Sequence, residues 1–423
     1  MPIEANWNHN YVNDCIPNFT TNMDLPRHRW YEFKEGFGSS LVERAIIETK
    51  NIRKNTQLTV MDPFSGSGTT PLTALQNNCN AIGFEVNPFM NFVGKTKCVK
   101  KIKSDKNYLT ELDWIMKQTP IERDSKLENQ SSFSQGGGNS KWLFNQSVLR
   151  GFEALNYYIK KTENAEIFLL ALFSAVMQCC NAKKDGKCLR YKKNWDTLAY
   201  SSQELRTIFN QNSLNIIYDV HALPLYTGER IFYEGDARKS FDKIENNSVD
   251  LTVFSPPYLN SFDYSDIYRP ELFLGGYVTS NDELRLIRQK TLRSHVQYKW
   301  NTTDKSHSIW AQNVASQVYE NRESLWNKDI PQMIDAYFFD MERILHESYR
   351  VATNGAQMWF VIGTSAYAGI EIPVDLILAD IAVQQGWTLL NVNALRKLRT
   401  SSQCANEDGH KIRLRESLVI CQK

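Results

Sequence analysis

Met61-Asp-Pro-Phe-Ser-Gly-Ser-Gly-Thr-Thr70 decides the fold. It follows the β-prone run Leu58-Thr-Val-Met61, which breaks at Asp62-Pro63, and it precedes a short helical pattern from Leu72 to Asn77. The stretch is therefore a turn between a strand and a helix. Gly66 and Gly68 let the backbone turn tightly and approach a ligand, and Thr69 or Thr70 can cap the helix. The glycines do not form Gly-x-Gly-x-x-Gly, and no Gly-Lys-Ser/Thr follows, which excludes the dinucleotide fingerprint and the P-loop. Ala81-Ile-Gly-Phe-Glu85 reads as the next strand. It ends in Glu85, 23 positions beyond Asp62, where a nucleoside-binding α/β unit places an acceptor for ribose hydroxyls.

Further strands are expected at Ile231–Glu234, Val249–Phe254, Gln357–Ile362, Thr388–Val392 and Ser417–Cys421, with helices at Gln332–Tyr349 and Val374–Gln384. Alternating strands and helices predict an α/β fold with a mostly parallel sheet, ending in an antiparallel hairpin. Two stretches interrupt the alternation. Tyr108 to about His221 has helical patterns at Val148–Lys161, Ala165–Cys180 and Ser202–Asp219, whereas Gly276–Ile330 is polar and weakly periodic. We divide the chain into a cofactor-binding part (1–107), a helical insertion (108–221) and a catalytic part (222–423) holding a polar insertion at about 276–330. Ser125–Ser140, rich in Ser, Gly and Gln, reads as a flexible surface loop.

Composition narrows the classes. The chain has 423 residues, 42% hydrophobic and 23% charged, which is globular and ample for a buried core. Its 49 Lys+Arg against 47 Asp+Glu leave a net charge of only +2, so a nucleic-acid surface has to come from local clustering. The longest apolar run, Ile167–Met177, is too short for a bilayer and reads as a buried helix. The first residues lack a signal-peptide pattern, and eight cysteines show neither a disulfide framework nor zinc-ligand spacing. These features predict a cytoplasmic protein with reduced, packing cysteines, no metal and no membrane association.

A second motif carries the chemistry. Ser255-Pro-Pro-Tyr258 directly follows the strand Val249–Phe254. Pro256 and Pro257 lack N–H groups, so the backbone there can only accept, Ser255 adds a hydroxyl, and Tyr258 offers a flat face. Such a pocket suits a planar base with an exocyclic amine. Acceptors around the amine stabilise the positive charge that grows as it attacks an electrophile, and stacking holds a base flipped out of its duplex. Gly235-Asp236-Ala237 closes another strand and places a carboxylate within reach of a cofactor's edge.

Taken together, Asp62-Pro-Phe-Ser-Gly-Ser-Gly68 and Ser255-Pro-Pro-Tyr258 resemble the S-adenosyl-L-methionine-dependent DNA amino-methyltransferases, which act on cytosine N4 or adenine N6. The resemblance implies a Rossmann-like methyltransferase fold. It assigns the methionine part of the cofactor to Asp62, Phe64, Ser65, Gly66, Gly68 and Thr69, the ribose to Glu85 and Val86, and the adenine to Asp236 and Ala237. Ser255, Pro256, Pro257 and Tyr258 take the amine-binding and base-stacking roles. An upstream element, His28–Ser40, is similar to the family's further cofactor contact and assigns Trp30, Phe37 and Ser39 to it. Serine at the first tetrapeptide position resembles the cytosine-N4 members, and Asp or Asn there is the commoner adenine-N6 pattern. The resemblance also implies duplex DNA with a flipped base as partner, and a cognate restriction endonuclease. No cysteine follows a proline, against cytosine-C5 chemistry, and zinc-deaminase motifs are absent.

Two basic clusters are the expected phosphate contacts. Lys183–Lys193 carries six basic residues against one acidic, with Lys183, Arg190, Lys192 and Lys193 chosen for contact. In the polar insertion, Arg285, Arg288 and Arg293 are the candidates, the first two on one face of a helix. Asp263, Asp266 and Glu271 are read as scaffold for the catalytic loop. The rival readings are an adenine-N6 methyltransferase, an RNA guanine-N2 methyltransferase, and a silent nucleic-acid-binding module.

Overall fold

A computed structural model describes residues 3–7, 19–54, 57–102, 104–185, 188–225, 227–300, 303–398 and 413–423. Twelve strands lie among them: β1 (Asn6–Trp7), β2 (Thr59–Asp62), β3 (Asn80–Glu85), β4 (Ala182–Lys184), β5 (Leu189–Tyr191), β6 (Arg230–Glu234), β7 (Val249–Phe254), β8 (Ala352–Gly363), β9 (Ser365–Tyr367), β10 (Ile370–Ile372), β11 (Thr388–Lys397) and β12 (Arg415–Gln422). Eight form one sheet in the order β1-β11-β12-β8-β7-β2-β3-β6. Its pairs β1–β11, β2–β3, β2–β7, β3–β6 and β7–β8 are parallel, and β12 runs antiparallel to both β8 and β11. This is the Rossmann-like α/β fold that the alternation predicts, with the expected terminal hairpin.

Chain order explains where a ligand can sit. From β2 the chain moves outward to β3 and β6 on one side, then returns to β7 and β8 on the other. The crevice beyond the carboxyl ends of β2 and β7 is thus the switch point, where open α/β sheets bind ligands. β7 is buried along its whole length, as a central parallel strand is, with Asp250 and Thr252 buried among its apolar residues.

The helical stretch forms helices at Asp105–Gln118, Gln146–Ile159, Ala165–Gln178 and Ser202–Ala222. Ser201 opens the last with a capping box, accepting from Glu204 N while the Glu204 side chain accepts from Ser201 N. These helices share an apolar core with Phe89 of the helix Pro88–Lys97 and with Leu272 of the helix Arg269–Leu274. They are thereby packed against segments that follow β3 and the tetrapeptide. Ser125–Ser140 differs from the expected surface loop. Phe133 is fully buried, its ring centroid 5.3 Å from that of Phe273, and Glu128 accepts two hydrogen bonds from Arg150 at 2.9 and 3.0 Å. The polar insertion holds the helix Asn281–Lys290, which puts Arg285 and Arg288 on a helix as expected, and a second helix, Ile309–Glu320, that its weak periodicity hides; Ser280 and Ser308 cap them.

Among the described residues no helix is long and apolar enough to cross a membrane. Cys79, Cys98, Cys179, Cys180 and Cys421 are buried free thiols and Cys188 is exposed. Cys15, Cys404 and Lys187 of the first basic cluster lie outside the described residues.

Candidate active site

Parallel pairing brings the two motifs together. β2 and β7 are neighbours in the register Val60↔Leu251 and Met61↔Thr252, so the turn after Asp62 and the tetrapeptide after Phe254 leave the sheet side by side. Thr70 Oγ1 donates to Val253 O at 3.2 Å, and the Phe64 ring centroid lies 5.9 Å from that of Phe254. Asp62↔Gly83 and Glu85↔Glu234 bring the ends of β3 and β6 to the same edge.

Within the turn, Gly66 and Gly68 both have positive φ, +49° and +84°, which a side chain would resist. Gly66 N donates to Glu85 Oε2 at 2.8 Å, and Ser65 N to Phe84 O at 2.9 Å. A Cβ on Gly66 would stand 2.8 Å from the Phe33 ring; one on Gly68 would stand 2.8 Å from Gly94 Cα. Gly66 therefore admits an aromatic wall, and Gly68 lets the helix Thr69–Gln76 touch the helix Pro88–Lys97.

A cavity of about 720 Å³ opens over these strand ends. That is room for a nucleoside-sized ligand and a second planar group. Asp62, Phe64, Ser65, Gly66, Thr69, Glu85, Val86, Asp236, Ala237, Phe37 and all four tetrapeptide residues line it. Three of the expected cofactor contacts do not. Gly68 turns towards Gly94, as above. Trp30 is buried and its Nε1 donates to Asp219 of the helix Ser202–Ala222 at 3.0 Å. Ser39 lies in the first turn of the helix Ser39–Arg53, its N donating to Asn22 Oδ1 at 2.9 Å. Trp30 and Ser39 thus pack the scaffold, and Phe37 with Phe33 supplies the aromatic wall.

Burial opposes ionisation of the carboxyls on the cavity floor. It pushes the Glu85 carboxyl up to about 7, despite hydrogen bonds donated by Asn87 N at 2.8 Å and by Gly66 N. Asp62 is also raised to about 7 by burial, with Oδ1 accepting from Phe64 N at 2.8 Å. Asp236 is committed differently. It caps the short helix Ala237–Ser240 and holds Arg238 through both oxygens at 2.8 Å, while Arg238 also reaches Asp340 at 2.7 Å.

Ser255 Oγ donates its single proton to Val361 O at 3.0 Å, so towards the cavity that oxygen can only accept. Tyr258 OH donates to Glu416 Oε1 at 2.8 Å, and Arg396 Nε donates to Glu416 Oε2 at 2.7 Å. Burial beside the Glu416 carboxylate holds the Tyr258 phenol well above its usual value, hence protonated. Gly363 backs the ring, for a Cβ there would lie 2.9 Å from Tyr258 Cδ2 and Cε2.

The basic residues divide. Arg288 and Arg293 are not available for phosphate, correcting the expectation for both. Arg288 Nε pairs with Asp263 at 2.6 Å, and Arg293 clamps Asp340 through two nitrogens at 3.0 and 2.6 Å. Arg285 is exposed, 3.7 Å from Asp282. Lys183 and Lys193 are exposed, Arg190 pairs with Asp185, and Lys192 donates to Gln178 O at 3.1 Å and to Tyr200 OH at 3.3 Å. None of these seven lines the cavity, and neither does any described residue of 108–221. The polar insertion does, through Lys290, Thr291, Leu292, Ser294, His295 and Ser324–Trp326. Asp263 and Glu271 act as scaffold. Asp263 caps the helix Tyr264–Ile267, and buried Glu271 accepts from Tyr31 OH and Lys184 Nζ. Sequence reasoning missed Phe33, although it lies within the upstream element His28–Ser40, and missed Glu416, Arg396 and Trp326, which no local motif marks.

No protein-family model matches the chain. It is similar over nearly its whole length to named relatives. It is 27% identical over 463 residues to the type II methyltransferase M.BsoBI of Geobacillus stearothermophilus, covering 97% of this chain and 88% of that protein. It is 27% identical over 456 residues to the type II methyltransferase M.AvaI of Nostoc sp., with 98% and 90% covered. Among solved structures, a SAM-dependent methyltransferase from Methanosarcina mazei aligns at 9% identity and a TM-score of 0.30, covering 87% of this chain and 93% of that one.

Proposed function

We propose that the chain is an S-adenosyl-L-methionine-dependent DNA methyltransferase that methylates cytosine N4 within a specific duplex sequence, as the modification partner of a restriction endonuclease. One observation carries this reading: the glycine turn and Ser255-Pro-Pro-Tyr258 leave adjacent parallel strands at the switch point and line one cavity. The type II methyltransferases similar to it over nearly the whole chain support it.

The residues fit the cofactor. Glu85 stands at a strand end as an acceptor for ribose hydroxyls, with the Gly66 turn, Phe33 and Phe64 around the sulfonium end. Asp236 keeps lone pairs beyond its bonds to Arg238, since an ionised carboxylate has about four acceptor sites. When bound, the cofactor supplies a methyl group on positively charged sulfur.

The remaining work falls to this chain. Ser255 Oγ and the Pro256 carbonyl accept from the amine, drawing its lone pair out of ring conjugation and stabilising the charge it gains. Tyr258 stacks on the flipped base, and Glu416 with Arg396 sets the ring's tilt. Ser255 in place of an Asp supports cytosine as the target, through the family resemblance. Lys183, Arg190, Lys192, Lys193 and Arg285 stay as outer phosphate contacts, and the insertions 108–221 and 276–330 as the parts that meet DNA.

Methyl-labelled cofactor incubated with plasmid DNA tests the reading. The expected result is label in duplex DNA at one recurrent sequence. Label in RNA alone, or in no nucleic acid, would overturn it.

A further inference from the structure

We infer that Trp326 is the side chain that enters the duplex where the target base has left it, an inference that rests on the proposed function above. Opening a base pair leaves a gap whose neighbouring bases lose their stacking partner, and proteins fill such steps with apolar side chains. An apolar filler of this kind is a large group on the protein surface, at the pocket that receives the base. Among the described residues of the polar insertion, Leu286, Ile309, Tyr319 and Trp326 are large apolar side chains left more than half exposed. Only Trp326 of these four lines the cavity, and it remains 55% exposed.

Its position is anchored. Leu325, the residue before it, is buried in the apolar cluster that also holds Leu259, the residue after Tyr258, and Leu292. Trp326 thus lines the cavity beside a buried neighbour, with much of its indole open to solvent. A DNA occupant is favoured by charge as well. Lys290 lines the same cavity, is exposed, and its ammonium has no carboxylate partner among the described residues. An exposed indole and an unpaired cation around a base-sized opening suit a stacked polyanion.

The test uses the full chain and two duplex oligonucleotides carrying the sequence it methylates in plasmid DNA. In one the target base is paired; in the other it lies opposite an abasic site, so it is already unpaired. Trp326→Ala is expected to slow single-turnover methylation of the paired duplex about tenfold or more, the effect of losing one base-stacking aromatic. On the abasic duplex the loss is expected to shrink to within about twofold, because little opening remains to be assisted. Trp326→Phe, which keeps a flat ring, should recover most of the rate. Calorimetric affinity for S-adenosylhomocysteine should be unchanged, which separates the effect from damage to the fold. Equal losses on both duplexes, or no loss on the paired one, would overturn the assignment. Failure of the unaltered protein to methylate either duplex would overturn the DNA reading itself, and this inference with it.

Discussion

Tyr258→Ala is expected to lower the single-turnover methyl-transfer rate about 100-fold, with S-adenosylhomocysteine affinity changed less than about threefold. Loss of one base-stacking aromatic is worth about 1–3 kcal/mol, and a target amine that then wanders by an ångström adds a comparable loss. The cofactor end of the cavity is built from other strands, so its affinity is spared. Tyr258→Phe keeps the ring and removes the hydroxyl that donates to Glu416, and should cost about threefold to tenfold. Gly363→Ala should fall between them, since its Cβ would press on the Tyr258 ring edge and tilt it. The rank order Phe, then Gly363→Ala, then Tyr258→Ala distinguishes ring position from the hydroxyl. Full activity in Tyr258→Ala would remove the residue from the base pocket.

The second large effect concerns Glu85. Glu85→Ala should weaken cofactor binding about 10- to 100-fold, the loss of charge-assisted hydrogen bonds from two ribose hydroxyls. The pH dependence follows from the same carboxylate. Burial raises Glu85 and Asp62 to about 7, and the cofactor favours the ionised form, so affinity should fall as pH drops below about 7. In Glu85→Ala the slope of log Kd against pH should be smaller by about one. Stability runs the opposite way. A carboxyl raised in the native state holds its proton between about 4.5 and 7, where the unfolded chain has lost it. Without cofactor this term destabilises the fold as pH rises through that window, and cofactor binding recovers the loss. Calorimetric titration from pH 5.5 to 8.5 measures it; a flat profile would show that Glu85 does not meet the cofactor.

What the sequence made legible was local. β2, β3 and β7 announce themselves through short β-prone runs broken by Asp62-Pro63, Glu85 and Pro256, and their shared edge follows from the parallel α/β pattern. The helix Val374–Gln384 lies where it is expected, and the long apolar helix at Ala165–Gln178 is buried as read. The helix Pro88–Lys97 lies outside the pattern the sequence shows, although Asn87 caps it and Pro88 opens it.

Illegible features depend on partners far along the chain. Arg293 looks like a phosphate contact until Asp340, 47 residues later, encloses its guanidinium. Glu416 acts on Tyr258 from 158 residues away. Trp30 turns inward because Asp219 accepts from it across 189 residues. Phe133 sits in a tract of Ser, Gly and Gln whose composition signals exposure, and tertiary packing overrides it.

The base itself is the most direct test of the central assignment. Duplex DNA methylated by the protein, digested to nucleosides and resolved by mass spectrometry, should yield N4-methylcytosine. N6-methyladenine would keep the amine pocket and overturn the reading of Ser255. Methyl groups on carbon, or on no base, would contradict the assignment of Ser255-Pro-Pro-Tyr258 as a site for an attacking amine.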